Sequence, residues 1–263
     1  MADVRWARIR GQFDAAAADF TGLRRCLWEP IGAAAVVVAR PGAGDRVLDA
    51  CCGTGTSAIP AARLVGRHGL VDAVDPSASM IDELWWLAKD LPQLRARQAD
   101  VTTWTSGGYD LVQSALGILS FPDVVAGTEH LVGLARPGGR VVLTIWQDGA
   151  MAAAGRHLGR AVGEGVPAPP AGQTEGIDRA DAYAKWLRAR GLVDVEVTVS
   201  PLALAMTPDV AWLVIVGSGL REVLAEVPVS ELDAVRERYL ESMRGEGLTE
   251  LDATTLIGSG RRP

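Results

Sequence analysis

The stretch Val47-Leu48-Asp49-Ala50-Cys51-Cys52-Gly53-Thr54-Gly55-Thr56-Ser57-Ala58 is an apolar run closing on an acid, then a glycine turn, then the start of a helix. Gly53 and Gly55 leave the backbone open to close approach by a ligand, which any side chain there would obstruct. Two more acids stand at matching places. Asp75 ends the next apolar run, 22 residues after Gly53, and is positioned to accept hydrogen bonds from ribose hydroxyls. Asp100 ends the third, where a carboxylate can accept from an adenine amino group. Each such charge-assisted bond contributes about 1.5–3 kcal/mol.

Gly53 to Ala58 also fits the dinucleotide fingerprint G-x-G-x-x-A, a pattern of low specificity. Asp49 separates the two readings, because it would repel an anionic pyrophosphate four residues downstream. The sulfonium and ammonium groups of S-adenosylmethionine would instead be attracted. Cys51 and Cys52 also intervene before the first glycine, which the fingerprint places at the strand end. An NAD-dependent oxidoreductase stays open as the alternative, but the chain has no Tyr-x-x-x-Lys or similar catalytic pair.

The elements that must carry these residues follow from hydrophobic periodicity. Short apolar strands are expected over 46–50, 70–75, 94–101, 109–115 and 141–146. Between the second and third, Met80, Ile81, Leu84, Trp85, Ala88 and Leu91 recur at helical steps and predict a stripe packed on a sheet. Strand–helix–strand repetition means parallel strands with right-handed crossovers. Residues 193–199 alternate with a period of two, and a further strand is expected over 251–258, past helices over 208–216 and 231–243. The expected fold is α/β, doubly wound, with a mostly parallel seven-stranded sheet, an antiparallel C-terminal edge strand and an N-terminal helical cover. Residues 1–40 form that cover and 41–263 the main domain. The Gly/Ala/Pro-rich segment 147–177 reads as a lid or acceptor-pocket insertion.

Composition excludes several classes. With 26 basic and 32 acidic side chains, the net charge of −6 argues against gripping nucleic acid by phosphate neutralisation. No run of eighteen apolar residues suggests a membrane span, and the first residues lack the apolar core of a secretory signal. Three cysteines, two of them adjacent, make neither a disulfide framework nor a zinc site. A cytoplasmic protein without a metal is expected. Eight of the fourteen aromatic residues are Trp, which suits an apolar pocket as well as a core.

The sequence resembles a class I S-adenosylmethionine-dependent methyltransferase of the ubiquinone/menaquinone C-methyltransferase-like (type 11/25) subgroup. The resemblance rests on Asp49 to Gly55, Val74-Asp75-Pro76-Ser77-Ala78-Ser79-Met80, Gln98-Ala99-Asp100-Val101, Tyr109 to Gly117, Phe121-Pro122-Asp123 and Leu134-Ala135-Arg136-Pro137-Gly138-Gly139. It implies that Asp49, Cys51, Gly53 and Gly55 hold the methionine part, Cys51 standing where the family's first loop glycine usually does. Asp75 and Pro76 would hold the ribose, Met80 and Val101 flank adenine, Asp100 bind its amino group, and Ser114 contact the methionyl amine. S-adenosylhomocysteine would be the product. Ser114-Ala115-Leu116-Gly117 lacks the Pro-Pro-aromatic stretch of nucleobase amine methylases, which argues against that acceptor.

The resemblance further implies methyl transfer to oxygen (carboxyl or hydroxyl) or carbon of a small apolar or peptide-derived metabolite, as in natural product biosynthesis. A protein that retains the cofactor without methylating is a third reading. His157, past the fifth strand, is the candidate base, and an ordinary packing role is the plainer one. Phe13, Phe20, Trp28 and Trp146 are candidates to line the acceptor pocket or the core, whereas Trp85 and Trp212 read as packing. Cys51 and Cys52 read as small buried residues in a tight loop rather than as redox groups.

Overall fold

The computed structural model describes residues 11, 14, 16–163 and 176–263, so Phe13 and residues 164–175 of the expected lid lie outside the described residues. Five parallel strands, β1 (Arg46–Ala50), β2 (Leu70–Asp75), β3 (Leu94–Gln98), β4 (Tyr109–Ala115) and β5 (Ala135–Trp146), alternate with helices. Two more strands, β6 (Val193–Ser200) and β9 (Thr255–Arg261), complete a seven-stranded sheet of order β3-β2-β1-β4-β5-β9-β6. β9 runs antiparallel to both β5 and β6, between which it is seated. This is the expected doubly wound, mostly parallel α/β fold with an antiparallel C-terminal strand. The order reverses between β1 and β4, which opens a crevice at the carboxyl ends of those strands.

Consecutive strand residues serve opposite faces. Val47, Val71, Ala73 and Leu111 pack under α1 (Glu29–Ala39), α2 (Ala58–Val65) and α3 (Ala78–Leu87). Leu48, Val74, Val112 and Leu143 pack on the other face with α4 (Val124–Leu134) and α6 (Ala180–Ala189). A third apolar cluster joins Leu23, Leu27 and Trp28 to α5 (Ala152–Val162), α7 (Pro208–Val216) and α8 (Leu232–Gly245). The segment rich in Gly and Ala after β5 thus contains an amphipathic helix, which buries Ala154, His157, Leu158 and Ala161.

Three local features depart from periodicity. The expected strand over 251–258 is split in two. Asp252 Oδ1 accepts from Thr254 N–H at 2.8 Å and turns the chain, so β8 (Glu250–Asp252) pairs with β7 (Ala203–Ala205) while β9 enters the main sheet. Trp85 is 70% exposed and its neighbour Trp86 66%, so the α3 stripe is narrower than Met80, Ile81, Leu84, Trp85 suggests and Trp85 is not core. Trp212 does pack, 6.2 Å from the Tyr239 ring. Finally, the N-terminal helix widens into a π-turn over Arg24–Trp28 immediately before Pro30. A proline that lacks an N–H and crowds the preceding turn is accommodated by that extra residue.

Helix α1 is seated on the loop after β1 at Gly32. A Cβ there would lie 2.5 Å from Thr56 O, a backbone atom with no freedom to yield. Alanine in a helix interior ordinarily gains about 1 kcal/mol over glycine. Gly32→Ala is expected to reverse that sign and cost ~1–3 kcal/mol by overpacking, read as a lowered urea midpoint. A raised midpoint would show that the helix and loop separate freely.

Candidate functional site

The three acids expected to act together do stand in a row, because β3, β2 and β1 are neighbours in the sheet. Asp49 is fully buried one residue before the end of β1, opposite Gln113 in the β4 register. That register puts Gln113 Nε2–H on Asp49 Oδ2 at 2.9 Å, and Ser57 Oγ–H donates to the same oxygen at 2.7 Å. Asp49 Oδ1 is buried without a hydrogen-bond partner among the described residues. Asp75 accepts from Gly53 N–H through Oδ2 and from Ser77 N–H through Oδ1, both at 2.9 Å. Asp100 caps the turn Val101–Thr103, its Oδ1 accepting from Thr102 N–H (2.8 Å) and Thr102 Oγ–H (2.6 Å).

The loop between these carboxylates needs three left-handed residues, Cys51 (φ 54°), Gly53 (φ 50°) and Gly55 (φ 84°). Gly55 is doubly constrained, since a Cβ would also meet Leu84 Cδ1 at 2.3 Å. At Cys51 a side chain is tolerated in that conformation. Room for it comes from Gly117 after β4, where a Cβ would lie 2.4 Å from Cys51 Cβ. Burial, reinforced by the charge of Asp75, pushes both the Cys51 and Cys52 thiols well above their ordinary range, which disfavours the reactive thiolate. Ser114 is buried and its hydroxyl donates to Ala50 O at 2.7 Å. Met80 and Val101 are buried, and Pro76 is half-buried.

The N-terminal segment closes onto this loop. Phe20 Cζ lies 3.5 Å from where a Gly53 Cβ would stand, and the Phe20 and Trp28 rings stack at 4.7 Å with 11° between planes. Trp28 Nε1 is buried without a partner among the described residues. Asp14 Oδ1 accepts from Ser77 Oγ–H at 2.6 Å and Ser79 N–H at 3.3 Å. Trp146 packs, half-buried, against the same cluster as Trp28. Phe20 and Trp28 are therefore brought to the loop. His157 faces α8 instead: its Nδ1 lies 2.8 Å from Ser242 Oγ and its Nε2 3.4 Å from Glu246 Oε2. Burial, partly countered by Glu246, lowers its pKa.

Sequence reading did not find Asp14, Arg24, Gln113 or Gly117. Ser57 stood inside the motif, but its role on Asp49 follows only from the loop's return past the strand end. Gln113 was legible only through strand register, and Asp14 acts across 63 residues.

Burial is the leading influence on both central acids. It pushes Asp49 up to about 6, against lowering by Ser57 and Gln113, and Asp75 up to about 6, against lowering by the Ser77 and Gly53 amides. Asp75 raises Asp49 further and Asp14 raises Asp75, while no ion pair among the described residues involves either acid. Two buried carboxylates without a cation, one with an orphaned oxygen, beside a glycine turn, fit a cationic nucleoside such as S-adenosylmethionine. No group of three metal-ligating side chains gathers among the described residues, and no helix there is long and apolar enough to cross a membrane.

Residues 47–139 match the family model described as a methyltransferase domain. The chain is 29% identical over 141 residues to aklanonic acid methyltransferase DauC of Streptomyces sp. (strain C5), covering 52% of this chain and 64% of that one. It is 31% identical over 104 residues to demethylmenaquinone methyltransferase of Oceanobacillus iheyensis, covering 38% and 44%. The matched region thus spans less than two thirds of either relative. The fold is shared with the YcgJ protein of Bacillus subtilis, at a TM-score of 0.58 and 17% identity over 89% of this chain and 98% of that one.

The raised carboxylates set a pH dependence. A group whose folded pKa rises from 3.8 to about 6 contributes stability that is full below 3.8 and lost as pH rises through about 6. Asp49→Asn removes one such group. The stability of this variant relative to the unsubstituted protein is expected to rise between pH 5 and pH 7.5 in ligand-free urea melts. A difference that is flat across that window would show that Asp49 is not strained by its charge.

Proposed function

We propose, from the premise that residues 47–139 are a methyltransferase domain, that this chain is an S-adenosylmethionine-dependent methyltransferase acting on a small apolar acceptor. The single observation that carries the cofactor is the pair of buried, unpaired carboxylates Asp49 and Asp75 flanking the glycine turn. When bound, the cofactor supplies an activated methyl group on sulfur. The chain's own part is to bind and orient. Asp49 faces the cationic methionyl end, with Ser114 and the backbone at Cys51, Gly53 and Gly55. Asp75 and Pro76 hold the ribose, Asp100 takes the adenine amino group, and Met80 and Val101 enclose the ring.

The acceptor would rest against Phe20, Trp28 and Trp146, under the cover of the N-terminal helix and α5. Oxygen (carboxyl or hydroxyl) or carbon of a specialised metabolite is the proposed target, supported by the name of the relative that acts on aklanonic acid. A carboxylate acceptor needs alignment alone, since positioning supplies much of the rate for an in-line displacement, whereas a hydroxyl or carbon acceptor must also pass a proton to a base. For His157 to act as general base, its ring would have to give up Ser242 and Glu246. It serves better as the pin between α5 and α8. A cytoplasmic location suits this substrate class.

Calorimetry against S-adenosylmethionine and NAD tests the cofactor. Binding of the sulfonium compound alone is expected, and NAD binding in its place would sink the reading. Asp75→Ala and Asp100→Ala are each expected to weaken that binding about tenfold or more, the loss of one bond of ~1.4 kcal/mol. Unchanged affinity in both would mean the adenosine lies elsewhere.

A further inference from the structure

We propose that the small cavity at the carboxyl edge of β5, β9 and β6 is a polar subsite for the acceptor, where the Thr255 hydroxyl takes one neutral oxygen substituent, a hydroxyl or a carbonyl. The assignment rests on the reading of Phe20, Trp28 and Trp146 as the acceptor's apolar seat. Three aromatic surfaces give an apolar ring system contact area, but they do not fix which way it points. A few placed polar groups do that in small-molecule sites.

β5 ends at Trp146, β6 ends at Ser200, and β9 starts between them at Thr255. The register opposes Thr255 to Trp146 on one side and to Ser200 on the other. Directly opposed residues of antiparallel strands carry their side chains on the same face. Thr255 therefore stands in one row with the acceptor wall at Trp146. Pro30 and Ile31, two and three residues after Trp28, close over this row from α1. With Pro201 and Leu202 they enclose a cavity of about 40 Å³ against Ser200 and Thr255. That space admits a water-sized group. None of the lining residues is charged, so an ion would enter without a counterion and a neutral group is favoured. Thr255 is 1% exposed, and its Oγ1 has no hydrogen-bond partner among the described residues. Buried hydroxyls are nearly always paired. Trp28 Nε1 and Gln147 Oε1, on the residue after Trp146, are buried and unpartnered in the same way. A hydroxyl such as that of Thr255 both donates and accepts, so it can pair with a carbonyl or with another hydroxyl. An ether methyl on the same oxygen would overfill the space.

The test is equilibrium dialysis of the full chain with naphthalene, 2-naphthol and 2-methoxynaphthalene as probes. S-adenosylhomocysteine is present throughout, since it carries no methyl group to transfer. The unsubstituted protein is expected to bind 2-naphthol about tenfold more tightly than naphthalene, through one buried hydrogen bond. It is expected to bind 2-methoxynaphthalene no more tightly than naphthalene. Thr255→Val keeps the shape of the side chain and is expected to bring the naphthol preference to unity, whereas Thr255→Ser keeps the preference. Valine removes an unpaired hydroxyl, so the urea midpoint of Thr255→Val without probe is expected to hold or rise. A lowered midpoint would show that the hydroxyl is already paired, and the assignment fails. It fails equally if the preference survives Thr255→Val, or if the unsubstituted protein shows none and the cavity holds water only. Trp146→Leu checks the seat separately and is expected to weaken all three probes by a similar factor. If it weakens none of them, or if no probe binds, the apolar seat itself falls and takes the subsite with it.

Discussion

Burying Asp49 and Asp75 at the ends of adjacent parallel strands removes two carboxylates from water, and the sharing of their lone pairs determines how the intervening loop folds. Each acid takes what local donors can reach it. Asp75 takes the Gly53 and Ser77 amides, and so ties the loop after β1 to the start of α3. Asp49 takes Ser57 and Gln113, and so ties the same loop to its own helix and to β4. Neutral donors lower the cost of burial without cancelling it, which is why both acids stay raised to about 6. The ligand-free fold carries that unfavourable term, and a cation is the ligand that relieves it. Binding and stability are linked through the same two side chains.

The rest of the site accommodates this loop. Gly55 must be glycine for its backbone and for Leu84, and Gly32 for the approach of α1. Cys51 shows the other solution: its left-handed conformation is kept, and the space is found at Gly117 on a different strand's loop. Replacing a loop glycine by a small side chain therefore depends on a second glycine 66 positions away. No thiol chemistry is needed to explain Cys51, whose thiol is pushed up by burial.

What was legible in the sequence follows from range. The strands, the acids at their ends and the glycine turn are encoded within a few residues of one another, and the structure places Asp49 and Asp75 as periodicity and spacing indicate, whereas β3 stops at Gln98 and Asp100 caps the turn beyond it. Trp85 was misread because a helix repeats its apolar face every three to four residues whether that face is wide or narrow. Met80, Leu84 and Ala88 suffice for the strip of sheet that α3 covers, leaving Trp85 outside. The break between β8 and β9 was hidden because Asp252 continues the alternation while its carboxylate turns the chain. The N-terminal contacts had no local signal at all. Asp14 reaches Ser77 and Arg24 reaches Thr54 only after the sheet has brought residues 30 to 63 positions apart together.

This difference in range also separates the stretch that matches the family model from the rest of the molecule. The methyltransferase-domain match, residues 47–139, takes in the three acids, the glycine turn and β1 to β4. The third apolar cluster is assembled almost wholly from outside that region: Leu23, Leu27 and Trp28 before it, α5, α7 and α8 after it. Leu116, from the loop after β4, is the one matched residue packed against it. In the reading proposed above, the cofactor lies over the matched stretch and the acceptor against this cluster. Acceptor identity is then a property of how the two ends of the chain pack together. On that reading the matched stretch carries information about the donor of the methyl group, and the recipient has to be read from Phe20, Trp28, Trp146 and the cluster they join.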